Sequence, residues 1–273
     1  MPSITINGHS LEFIDTGEGF PVLLGHSYLW THSMWQHQID SLAAQGFRCI
    51  VPDLWGHGLS GANPDAVKSL DALTESMDML VDSLGLDAYA IAGLSVGGMW
   101  GARLALRHTE RVRGLMLLNT DLHEEPADKQ ALYLSMLDAT EKAGCFPPPL
   151  ADQVVPFFFA PETYQEQPSL VSDFRQSLLA IPAANIPTIV RLGRSIFTRE
   201  SIMDRMASFT VPTLIISGES DKSRPPAESE AMAQAIPMAK LHIIPKAGHI
   251  TAREQPEQTA RIMLDFLAAI WRN

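Results

Sequence analysis

Tyr89-Ala90-Ile91-Ala92-Gly93-Leu94-Ser95-Val96-Gly97-Gly98 is the stretch on which the reading of this chain turns. A short apolar run ends in Gly-x-Ser-x-Gly, and helical patterning starts at once. A serine hydroxyl is a weak nucleophile unless a base stands beside it and the backbone presents it openly. A sharp strand-to-helix turn does the presenting, and it brings neighbouring backbone so close that the flanks at minus two and plus two must be small. Gly93 and Gly97 are those flanks, and Gly98 lets the helix pack tightly on the sheet. The N–H of Val96, at the start of that helix, is an unpaired donor in a field that favours an anion.

Composition sets outer limits. A chain of 273 residues, 46% hydrophobic and 19% charged, can bury a sizeable core and does not resemble a disordered one. A net charge of −11 disfavours nucleic acid and anionic membrane as partners. Of the two cysteines, Cys49 lies inside an apolar run and reads as a buried, inert thiol. No cysteine pair or histidine cluster has metal-ligand spacing, so no metal and no cofactor is expected. The segment Met1–Asn7 lacks the basic and apolar parts of a signal peptide, and no apolar run approaches a membrane span. A cytoplasmic protein is the default expectation.

Working outward from the elbow, Asn7-Gly8 between two β-prone runs signals a hairpin. Pro21–Gly25, Phe47–Pro52, Val112–Asn119, Thr213–Ser217 and Lys240–Ile244 read as buried strands. Helical spacing covers Ser33–Ala44, Leu70–Leu84, Val96–His108, Pro226–Ala235 and Pro256–Trp271. Strands alternating with helices predict an α/β fold, a mostly parallel sheet with helices on both faces. From Leu122 to Ala207 the pattern turns helical, with proline-rich breaks and no buried strand. The expected organisation is a core of residues 1–121 and 208–273, with residues 122–207 as a helical cap inserted between two strands. In open sheets of this kind, ligands bind beyond the carboxyl ends of the strands.

A serine nucleophile needs a base, and the base needs an orienting acid. His249 follows the last strand, in the glycine-containing loop Pro245-Lys246-Ala247-Gly248-His249, and is the expected base. Asp221, in Ser217-Gly218-Glu219-Ser220-Asp221, is the expected acid, with Glu219 and Asp121 as alternatives. His9, His37, His108, His123 and His242 fall in turns or on helix surfaces. A second oxyanion N–H, to join that of Val96, should come from the loop Gly25-His26-Ser27-Tyr28-Leu29-Trp30.

Five pieces in order resemble the α/β-hydrolase fold superfamily, in its esterase-like branch with a helical cap. They are Leu23-Leu24-Gly25-His26, Pro52-Asp53-Leu54-Trp55-Gly56-His57-Gly58-Leu59-Ser60, Gly93-Leu94-Ser95-Val96-Gly97-Gly98, Gly218-Glu219-Ser220-Asp221 and Ala247-Gly248-His249. The serine, acid, histidine order also matches that superfamily. Its first motif usually runs His-Gly and then the oxyanion residue, whereas this chain has Gly25-His26-Ser27. By position the resemblance assigns the second oxyanion N–H to Ser27, with Tyr28 the neighbour that could take it. Asp53 and His57 are expected to be structural, and so is His26 unless it touches substrate.

The resemblance implies acyl transfer by a serine hydrolase on a small to medium, largely apolar ester. A lactone, or a diketone split at a carbon–carbon bond, would use the same machinery. A small-molecule receptor with slow hydrolysis is the reading of another class, and the partner in every case is a small molecule. Besides His26, Tyr28 and Trp30 near the site, Phe158 and Phe159 of the cap are the expected pocket residues, and Met99 and Trp100 are further candidates. Arg191, Arg194 and Arg199 of the cap are expected at the solvated surface.

Overall fold

The computed structural model describes residues 1–271. Eight strands form one sheet: β1 (Ser3–Ile6), β2 (His9–Thr16), β3 (Phe20–Gly25), β4 (Phe47–Pro52), β5 (Tyr89–Leu94), β6 (Val112–Leu118), β7 (Thr213–Gly218) and β8 (Ala239–Ile244). Their order in space is β1-β2-β4-β3-β5-β6-β7-β8. The Asn7-Gly8 turn makes β1 and β2 an antiparallel hairpin, both turn residues having positive φ, and β2 runs antiparallel to β4. All pairings from β4 through β8 are parallel. Helices cover the faces: α1 (Gln36–Ala43), α2 (Leu70–Ser83) and α3 (Val96–Arg107) come before β6. Between β6 and β7 lie α4 (Ala127–Ala143), α5 (Pro148–Val154), α6 (Pro161–Glu166), α7 (Pro168–Leu179), α8 (Ile186–Phe197) and α9 (Met203–Met206). The last three are α10 (Pro226–Ala235), α11 (Thr251–Glu254) and α12 (Pro256–Trp271).

The central strand β5 is buried at every residue, as its apolar run requires. Trp35, Trp55 and Trp100 are fully buried, so Trp100 and its neighbour Met99 belong to the core and not to a ligand pocket. Strand β8 departs from the expected buried strand. It is the sheet's edge, paired to β7 alone, and Lys240, His242 and Ile243 are exposed. Cys49 is buried as expected, and burial pushes its thiol up to about 12.

The parallel strands deliver their carboxyl ends to one rim. Ser95 follows β5, Asn119 follows β6, Asp221 lies beyond β7 and His249 beyond β8, while the Gly25–Trp30 loop leaves β3 at the same end. The helical segment between β6 and β7 stands at this rim. It is joined to the core by the hydrogen bonds Tyr28 Oη to Ile189 O at 2.8 Å and His249 N to Phe158 O at 2.9 Å.

Candidate active site

Ser95 sits at φ 57° and ψ −120°, a left-handed strain that non-glycine residues rarely accept. The turn is held by Ser95 N–H to Leu118 O at 2.9 Å and by Thr120 Oγ1 to Ser95 O at 2.7 Å. A Cβ on Gly93 would strike the Gly97 carbonyl, and one on Gly97 would strike the Gly25 carbonyl. The two small flanks therefore let β5, α3 and the β3 loop meet around the serine.

His249 Nδ1 lies 2.9 Å from Asp221 Oδ2. Both residues are buried, and both carboxylate oxygens of Asp221 are engaged. Oδ1 accepts the N–H groups of Ser223 and Arg224 at 2.9 and 2.8 Å, and Oδ2 also accepts Asn119 Nδ2 at 2.9 Å. Asn119 is a residue that sequence reasoning missed. It bonds Gly248 O at 3.1 Å as well and accepts from Thr251 Oγ1 at 2.7 Å, so it fastens the acid loop to the histidine loop. Its one visible signal is a polar residue ending an apolar strand. The alternative acids are occupied elsewhere. Asp121 binds His123 and Arg199, and Glu219 accepts from Lys246 N.

Ser95 and His249 share a small cavity of about 70 Å³. Tyr28 and Phe158 line it as expected, with Leu29, Tyr133, Leu137, Phe146, Ile196 and Phe197 among the other walls. The helical spacing of Tyr133, Met136, Leu137 and Thr140 on α4 was the available clue to that wall. Three expected pocket residues are not on it. Trp30 stacks on Phe174 at 4.7 Å and lines a separate, open groove of about 350 Å³. Phe159 is buried against Trp30 and Phe174. His26 is fully buried, with Nδ1 2.7 Å from Ser27 O and Nε2 accepting Leu54 N–H at 2.9 Å, so its ring has no face for a substrate.

Ser27, the expected second oxyanion donor, lines the cavity beside Ser95. The Ser27 N–H donates to the Met34 thioether at 3.3 Å. Neither the Tyr28 N–H nor the Val96 N–H has a protein acceptor among the described residues. The side chains of the Asp53 loop hold backbone. Asp53 accepts from His32 N and Nδ1 and from Leu59 N, and His57 Nε2 accepts Leu29 N–H at 3.2 Å. Burial drives His57 down to about 3 and lowers His26 too, so both imidazoles are neutral.

Arg199 is likewise not at the surface. It is 5% exposed, bonded to Glu125 Oε2 at 2.6 Å and Asp121 Oδ2 at 3.3 Å. Arg224 pairs bidentately with the same Glu125 at 2.9 and 2.5 Å. Burial works to raise the Glu125 pKa, but these two guanidinium groups outweigh it and hold the carboxylate below its usual range. Arg191 and Arg194 do make exposed ion pairs, with Asp65 and with Asp138 and Glu141. Among the described residues, no three His, Cys, Asp or Glu side chains are grouped to hold a metal ion, and no helix is long and apolar enough to cross a membrane.

Residues 21–256 match the family model described as alpha/beta hydrolase fold. The chain belongs to that family. Over 273 aligned residues it is 30% identical to a 2-hydroxymuconate semialdehyde hydrolase of Pseudomonas putida, covering 96% of this chain and 92% of the relative. A solved esterase from Thermogutta terrifontis superposes with a TM-score of 0.88 at 30% identity, over 98% of this chain and 97% of that one. The enol-lactonase of Burkholderia xenovorans gives 0.84 at 26% identity, over 98% and 100%. The protein is thus a hydrolase of the α/β-hydrolase fold.

Proposed function

We propose that this α/β-hydrolase is a serine hydrolase of short, apolar carboxylic esters, working through an acyl-enzyme on Ser95. The observation that carries the reading is the cavity where Ser95, His249 and Tyr28 meet behind apolar walls. His249 removes the Ser95 proton as Oγ attacks the ester carbonyl, and Asp221 holds the imidazole with Nδ1–H inward. The N–H groups of Tyr28 and Val96 receive the oxyanion. His249 then protonates the departing alcohol. Water, activated by the same imidazole, releases the acid.

The cavity is small, at about 70 Å³, and walled mostly by apolar side chains, which favours a short, apolar acyl group. Arg224 is the guanidinium on the cavity wall, and its two terminal nitrogens are already paired with Glu125. That supports an uncharged acyl group over an acidic one. A second reading is lactone or carbon–carbon hydrolysis with the same residues, favoured by the likeness to the enol-lactonase and the semialdehyde hydrolase.

The test is steady-state turnover on p-nitrophenyl acetate, butyrate and octanoate, beside an enol-lactone and a vinylogous diketone. Many turnovers on the two short esters are expected. The ester reading falls if the lactone or the diketone is the better substrate, and the proposed turnover through an acyl-enzyme falls if product stops at one equivalent.

A further inference from the structure

Glu254, at the end of α11, is 1% exposed, and no cation is bonded to its carboxylate. Four donors meet it instead. Oε1 accepts the N–H groups of Gly248 at 2.9 Å and Ile250 at 3.1 Å, the two residues that flank His249. Oε2 accepts Ala160 N–H at 2.8 Å and Thr163 Oγ1 at 2.5 Å, both in the segment between β6 and β7. The His249 N–H between the two clamped amides donates to Phe158 O at 2.9 Å, and the Phe158 ring meets the imidazole edge-on at 5.5 Å. A buried carboxylate without a counter-charge is costly, so four donors must be worth satisfying at once. An amide has one acceptor oxygen and cannot take all four.

We infer that Glu254 is the positioning residue for His249: one oxygen, Oε1, fixes the backbone on either side of the base, while Oε2 is held by Ala160 and Thr163, which do not line the acyl cavity. Glu254 touches neither Ser95 nor the substrate, so it acts through the imidazole. The inference rests on the serine-hydrolase reading. A misplaced base slows proton transfer while leaving ester binding alone, since the cavity walls are unchanged. A purely structural carboxylate would lower stability without that selectivity.

The experiment compares Glu254→Gln with Thr163→Val, which removes one donor from the same carboxylate without touching the histidine loop, and with Ser95→Ala. On p-nitrophenyl butyrate, Glu254→Gln is expected to lower kcat about tenfold or more with KM within about twofold. Its low-field Nδ1 proton resonance of His249 should move or broaden. Thr163→Val should match the loss in Tm, yet keep kcat within about threefold and leave the resonance in place. The inference is overturned if Glu254→Gln keeps the wild-type kcat, if KM rises in step with the loss, or if Thr163→Val loses as much. With Ser95→Ala inactive, those outcomes sink this inference alone. Activity surviving in Ser95→Ala overturns it together with the reading beneath it.

Discussion

The backbone N–H of Ser27 is turned onto the sulfur of Met34, 3.3 Å away, while the next N–H along the chain, that of Tyr28, has no protein acceptor among the described residues. On the proposed mechanism, that difference selects the Tyr28 amide over the Ser27 amide for the oxyanion. Replacing the residue 28 amide by an ester bond should therefore lower kcat on p-nitrophenyl acetate by about a hundredfold or more. The same replacement at residue 27 should cost less than about threefold, since that N–H is already given to the Met34 sulfur and only a neutral hydrogen bond is lost. Equal effects at both positions would refute the assignment.

Removing the nucleophile and its partners should separate chemistry from folding. Ser95→Ala should abolish ester hydrolysis and leave the far-ultraviolet circular dichroism unchanged. Asp221→Asn should lower kcat by about ten thousandfold by favouring the wrong imidazole tautomer. Asp121→Asn should leave kcat near wild type, because its carboxylate serves Arg199 and His123 and not His249. Steady-state rates of the purified variants decide the matter.

The acyl limit should move with the wall opposite the serine. Leu137 lines the cavity from α4 and is buried. Leu137→Ala should cost about 2–5 kcal/mol of stability. It should also raise the kcat/KM ratio of p-nitrophenyl hexanoate to acetate by about tenfold or more, the scale of one or two methylenes in an apolar pocket. Trp30→Ala, on the separate groove, should leave that ratio within about twofold.

Stability should fall as the solution is acidified. In the folded protein His57 does not take up a proton until the pH approaches about 3, against an ordinary value of 6.5. The unfolded chain protonates it first, so stability present above pH 6.5 is lost progressively between 6.5 and about 3. The slope is at most about 1.4 kcal/mol per pH unit for each such histidine. His26, lowered by the same burial, adds to it, and Glu254, raised by burial, works the other way. Chemical denaturation between pH 7 and pH 4 should show the loss, and His57→Gln should flatten it.

Elements whose reasons are local were legible in the sequence. The elbow announces itself because two glycines and a serine satisfy a steric demand within five residues. Strand positions followed from apolar runs, and the Asp221 and His249 loops from glycines just after strands. Contacts between distant segments carried no such mark. Nothing near Ser27 says that Met34 will take its N–H, and nothing near Arg199 says that Glu125, 74 residues earlier, will bury it. Trp30 and Phe159 look like pocket aromatics by position, but their partner is Phe174, which only the packing of α7 supplies. Strand β8 reads as buried because its residues are apolar enough, yet order in the sheet, not composition, makes an edge.

The buried triplet Arg199, Glu125 and Arg224 joins both stems of the inter-strand helices to the loop that carries Asp221. Swinging those helices away as one lid would strand at least one desolvated charge, at about 3–5 kcal/mol for a broken buried pair. Leu29, held at φ 66°, lines both the cavity and the neighbouring groove and is the wall the two spaces share. Entry to the cavity is accordingly a matter of the side chains at its wall, since the ion pairs oppose release of the helical segment as one body.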